Sequence, residues 1–160
     1  QAAAQAQASA MRLLERVRRE GTTLIVVDRA DTWMEQLAKA TGIAYAGSFK
    51  QGRNWLGGVH FVREHSLFAD LPGNVGMNWP YQAVVRDGHG RVGLQLEGEE
   101  LVAGLWHSYP MQLGTAVGVV PHGKGRIVLS TLDIVDNLGA PDGPSHVARK
   151  LLVNFIRFAR

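Results

Sequence analysis

The chain contains no cysteine. That absence excludes disulfides, thiolate metal sites and a cysteine nucleophile, and it leaves the redox compartment open. No uninterrupted apolar run approaches the ~20 residues that a membrane-spanning helix needs. The amino-terminal residues lack a basic stretch followed by an apolar core, so the sequence shows no secretory signal pattern. Charge of one sign never accumulates in a block. Arg12, Arg16, Arg18 and Arg19 fall on one predicted helix, and Arg149, Lys150, Arg157 and Arg160 on another. A net charge of +3 and a pI near 9.6 therefore describe solvated helix faces rather than a nucleic-acid footprint. The phosphate-loop pattern G-x-x-x-x-G-K-[ST] and the nucleophile elbow G-x-S-x-G are also missing.

What is present is a soluble-type composition, 46% apolar and 19% charged, over 160 residues, which is enough chain for one domain with a real core. Residues 1–10, QAAAQAQASA, read as a linker or a frayed helix start, and 11–160 as a single α/β domain. Ala10, Leu13, Leu14 and Val17 recur at helical spacing, and Gly21 stops that helix. TLIVVD, from Thr23 to Asp28, reads as a strand buried on both faces. Thr32 with Glu35 forms a capping-box pattern, which predicts a helix starting there with Trp33, Leu37 and Ala38 in the core and Gly42 at its end. Residues 47–58 read as a loop, Val59–Arg63 as a short strand, and MNWPYQAVV as the approach to another strand. Val92–Leu96 and Leu101–Trp106 are expected to pair around Gly98. Thr115–Asp133 predicts a hairpin about an HGKG turn, with Ser130, Thr131 and Asp133 at the end of its return strand. The final helix runs from about Pro144 to Arg160 with Val147, Leu151 and Phe155 on one stripe.

Several stretches carry a family resemblance. HSLFADLP resembles the H-P-L-F-x-x-L-P turn of trehalose-utilisation-type domains, which are relatives of class I glutamine amidotransferases. GKGRIVLSTLD followed by VARKLLVNFIRFA resembles the closing strand and helix of that group. With LLERVRREGTTLIVVDRAD, MNWPYQAVV and LVAGLWHSYP in the same order, the chain looks most like the amidotransferase-like domain near the C-terminus of bacterial family 2 (β-galactosidase-type) glycoside hydrolases. The resemblance implies a flavodoxin-like three-layer sandwich with a mainly parallel sheet ending in an antiparallel hairpin. It also implies that leading strands are missing from this chain. It departs from active amidotransferases in two places: the nucleophilic cysteine is absent, and Tyr109 stands where a carboxylate would orient His107. The implied function is a non-catalytic accessory domain of a glycoside hydrolase, with a sugar-binding or small-molecule enzyme domain as the alternative. The implied partner is the remainder of a larger polypeptide or a second subunit, and a secreted or periplasmic setting follows only from the glycoside hydrolase resemblance. No cofactor, nucleic acid or membrane partner is expected.

The candidate ligand-binding residues are Asn78, Trp79, Tyr81, Trp106, His107 and Asp133. Flat aromatic faces pack on the C–H faces of a sugar while neighbouring polar groups read its hydroxyls. Asn54 and Trp55 are expected in an exposed loop as an interface anchor. Ser130, His107 and Asp133 supply the residue types of a hydrolase triad, but nothing in their spacing brings them together. The six histidines show neither H-x-H nor i, i+4 spacing, so no metal site is predicted.

Overall fold

A computed structural model describes residues 2–50, 58–85, 91–108, 111–139 and 144–160. Helix α1 (Ala2–Glu20) leads into strand β1 (Thr23–Val26), and helix α2 (Ala30–Thr41) leads into β2 (Tyr45–Lys50). β3 (Gly58–Val62) and the two-residue β4 (Val75–Gly76) bracket the HSLFADLP turn. β5 (Val92–Leu96), β6 (Glu100–Ser108), β7 (Met111–His122) and β8 (Gly125–Ser130) follow, and α3 (Pro144–Phe158) closes the chain.

The eight strands form one mixed sheet whose main path is β1-β8-β7-β6-β3-β4. The β2–β5 pair joins it where Leu94 meets Thr115 of β7. Among the described pairings only β1 with β8 is parallel. The flavodoxin-like sandwich with a mainly parallel sheet is therefore incorrect. Parallel neighbours need a crossover of a dozen or more residues, usually a helix. Between β2 and β8 the described connections hold only short 3₁₀ turns, so consecutive strands return antiparallel. The inference of missing leading strands falls with the doubly wound order that it presupposed.

β7 is the central strand, buried from Gly114 to Val120. One side of it pairs with β6; on the other, β8 runs alongside as far as Val117, and β5 takes over at Thr115. Thr131 closes this branch point. Its N–H donates to Ala116 O at 2.9 Å and its Oγ1 donates to Val92 O at 2.6 Å. Two glycines permit the close approach of β5 and β7: a Cβ on Gly114 would lie 2.7 Å from Gly93 Cα and 2.6 Å from the Phe49 ring. The β7–β8 hairpin turns at Gly123, whose φ of 61° suits glycine.

Helices flank both faces of the β1–β8 end. Leu14 and Val17 of α1 and Ala30 and Met34 of α2 pack on Ile127, Leu129 and Val120. Leu151 and Phe155 of α3 pack on Val117, Val119 and Val128 of the opposite face, together with Leu67, Phe68 and Tyr81.

Local expectations differ from the structure in instructive ways. α2 begins at Ala30, with Arg29 in the left-handed region and no side-chain cap; the Thr32 hydroxyl instead donates to Arg29 O at 2.8 Å. The core stripe runs through Ala30, Met34 and Leu37, so Met34 is buried and Trp33, beside it on the helix, is 55% exposed. Leu13 faces outward likewise, while Leu14 and Val17 face the core. β2 occupies part of the expected 47–58 loop, and residues 51–57, with Asn54 and Trp55, lie outside the described residues. MNWPYQAVV, expected to lead into a strand, forms a 3₁₀ turn at Trp79–Tyr81, and the next described strand is β5. β5 and β6 do not pair around Gly98; each pairs with β7 instead.

Candidate functional site

One exposed row of apolar side chains crosses three strands. Val59 on β3 sits opposite Trp106 on β6, and Trp106 sits opposite Leu113 on β7. Directly opposed residues project to the same face of a sheet, and residues two apart on a strand do so too, so Met111 extends the row. These four are 46%, 41%, 55% and 82% exposed in the order Val59, Trp106, Leu113 and Met111. They leave on the order of 400 Å² of side-chain surface open, the size of a monomer's largest apolar patch, and such patches are often functional. The face is smooth beneath them because Phe61 lies flat over Gly104, where any Cβ would collide with its ring.

The six residues singled out from the sequence divide among three places. Met77 N–H bonds to His60 O just past the β3–β4 ladder, and the Asn78 N–H then turns back onto Gly76 O. Asn78 and Trp79 are exposed, Trp79 at 83%, and follow β4, which β3 separates from Trp106 on β6. His107 follows Trp106 on the same strand and therefore projects from the opposite face, where it is buried and stacks on Phe49 with ring centroids 6.4 Å apart. Tyr81 is fully buried; its hydroxyl donates to Pro72 O and burial pushes its pKa up to about 12. Asp133 lies past the end of β8, half-buried, its N–H bonded to Val84 O and its carbonyl accepting from Asn137 Nδ2 at 2.7 Å.

The triad geometry does not form. Ser130 pairs with Val117 and His107 with Gln112, five residues apart along β7 and on opposite sides of it. At ~3.4 Å per residue that is roughly 17 Å along the strand alone. Ser130 is buried and its Oγ accepts the Leu132 N–H at 3.2 Å, a turn role. Among the described residues, no three His, Asp or Glu side chains gather where they could hold a metal ion.

Two polar features remain. At the carboxyl end of β1, Asp28 Oδ2 accepts the Val135 N–H at 3.1 Å, and Arg29 pairs with Asp136 at 3.0 Å. Burial raises the Asp28 pKa above its ordinary value, the hydrogen bonds from Val135 and Arg29 opposing it only in part. A groove of about 430 Å³ lies along the HSLFADLP turn, lined by Glu64, His65, Ser66 and Asp70 among others. His65 Nδ1 accepts the Leu67 N–H at 3.1 Å, Lys150 pairs with Asp70 at 2.6 Å, and desolvation lowers the His65 pKa. These contacts hold the turn itself against α3. The apolar row has no feature of sequence pattern to announce it, because its members come from three strands whose register only the fold sets.

No family model, curated protein or solved structure matches this chain. Among the described residues, no helix is long and apolar enough to cross a membrane.

Proposed function

We propose that this chain is a non-catalytic accessory domain that docks, through the Val59–Trp106–Leu113–Met111 face, against the carbohydrate-active part of a larger glycoside hydrolase. The exposed apolar row is the observation that carries this reading. An apolar sheet face of this size gains from being covered, at ~25 cal/mol for each Å² removed from water. It supplies about half of the ~800 Å² per partner of a standard interface, so the partner also meets polar surface around the row. The chemistry agrees with a docking role: there is no thiol for covalent glutamine hydrolysis, and Ser130 and His107 lie far apart.

The test uses the chain alone. It should bind an apolar dye such as ANS at this face, and Trp106→Ser with Leu113→Ser should remove most of that signal without lowering the melting temperature. It should not turn over aryl glycosides or glutamine. Turnover that survives purification and disappears in Asp133→Ala would sink the accessory-domain reading.

A second reading has one observation in its favour. Trp79 and Trp106 are both exposed, and an exposed aromatic face suits a sugar ring. Quenching or shift of tryptophan emission on titration with galactosides, lost in Trp79→Ala, would select it over protein docking.

A further inference from the structure

β1 is a strand with the composition of a sheet interior placed at a sheet margin. Leu24 and Val26 pack against the core under α1 and α2, and Ile25 and Val27 against the core under α3. Both faces are thus covered, yet all four residues Thr23–Val26 stay partly exposed, and among the described residues β1 pairs with β8 alone. What lies open is its outer edge of backbone N–H and C=O groups. Edge strands are ordinarily blunted by lysine, proline or a bulge, and Thr23–Val27 contains none of these.

Charge is sorted to the two ends of this edge. Beside the amino end of β1 lie Arg16, Arg18 and Arg19 of the last turns of α1. Lys124 joins them, its N–H bonding to Arg18 O; together these outnumber Glu15 and Glu20. Beside the carboxyl end lie Asp28, Asp31 and Asp136, which outnumber Arg29.

We propose that two copies of this chain pair β1 to β1, antiparallel across a two-fold axis, to make one continuous sheet. A two-fold operator pairs identical strands antiparallel and closes the assembly at two copies. It also sets the basic end of each edge against the acidic end of the other, whereas a parallel pairing would oppose like charges. This proposal uses a different surface from the docking face and stands apart from that reading.

Sedimentation velocity on the chain at tens of micromolar and ~50 mM salt tests it. The expected result is twice the 17.4 kDa chain mass, dissociating as salt is raised. Arg19→Glu and Asp31→Arg should each weaken self-association about tenfold or more while melting like the parent chain. An equal mixture of the two should recover dimers, because each opposed pair is then one acid and one base. The Ile25 amide, which points away from β8 while those of Leu24 and Val26 point toward it, should exchange more slowly as concentration rises. A monomer under these conditions overturns the proposal. So does a dimer untouched by either charge change, or one abolished by the Trp106→Ser, Leu113→Ser chain, since that would place the contact on the docking face.

Discussion

Gly114→Ala should destabilise this protein by more than a surface glycine replacement. The new Cβ would sit 2.6 Å from Phe49 Cε1, 2.7 Å from Gly93 Cα and 2.8 Å from Gly93 C. Ordinary carbon contacts lie at about 3.5–4.0 Å, so something must yield by roughly 0.7 Å or more. The Phe49 ring has freedom to turn. The Gly93 backbone does not, because it lies in the β2–β5 ladder opposite Phe49 and is flanked by Leu94 on Thr115. Overpacking of this kind costs about 1–3 kcal/mol. Alanine recovers about 0.4–1 kcal/mol by restricting the unfolded chain, which leaves a net loss of about 1–2 kcal/mol. For a chain of this length that corresponds to a fall of roughly 2–8 °C in melting temperature. Thermal and urea unfolding monitored by circular dichroism measure it. Gly139→Ala is the control, since nothing lies within 4 Å of its Cβ position; it should change stability by less than ~0.5 kcal/mol. Adding Phe49→Ala to Gly114→Ala should relieve part of the clash, so the double change should cost less than the sum of the singles. A Gly114→Ala chain as stable as the parent, with strict additivity in the double variant, would refute the close crossing of β5 and β7.

Three further outcomes follow from the same geometry. Burial raises the Asp28 pKa, so its charged form costs stability above the raised value, and that cost fades as pH falls through the raised value and is gone below the ordinary value of 3.8. Asp28→Asn, which still accepts the Val135 N–H, should therefore be the more stable chain at pH 7; a gap that widens in acid would contradict this. Tyr81→Phe removes the hydroxyl bond to Pro72 O and should cost about 1 kcal/mol by urea denaturation, with no change in the fold by near-UV dichroism. Trp79→Ala, at 83% exposed, should leave the melting temperature within about 1–2 °C of the parent; a large loss would mean that Trp79 packs rather than displays.

How much was legible depended on the range of the interaction. The absent cysteine, the glycine stops at Gly21 and Gly42, and the Leu151–Phe155 stripe are local facts, and each has its counterpart in the structure. Trp33 faces out because the core stripe follows Ala30, Met34 and Leu37, and both Trp33 and Met34 are apolar, so their types do not say which of them packs. His65 was readable as a turn former because its partner, Leu67 N–H, is two residues away. The apolar row was not, because Val59, Trp106 and Leu113 are joined by register alone.

The sequence by itself determined which segments are apolar, where helices stop and which reaction chemistries have no residues to perform them. These rest on side-chain identity and on contacts within a few residues. The tertiary structure alone decided strand direction, which is set by what connects the strands and by Thr131 at the branch of β7. It alone also decided that Trp106 and His107, adjacent in the chain, serve opposite faces of the sheet. Period-two alternation guarantees that they part, but only the packing of the two faces says which of them meets solvent.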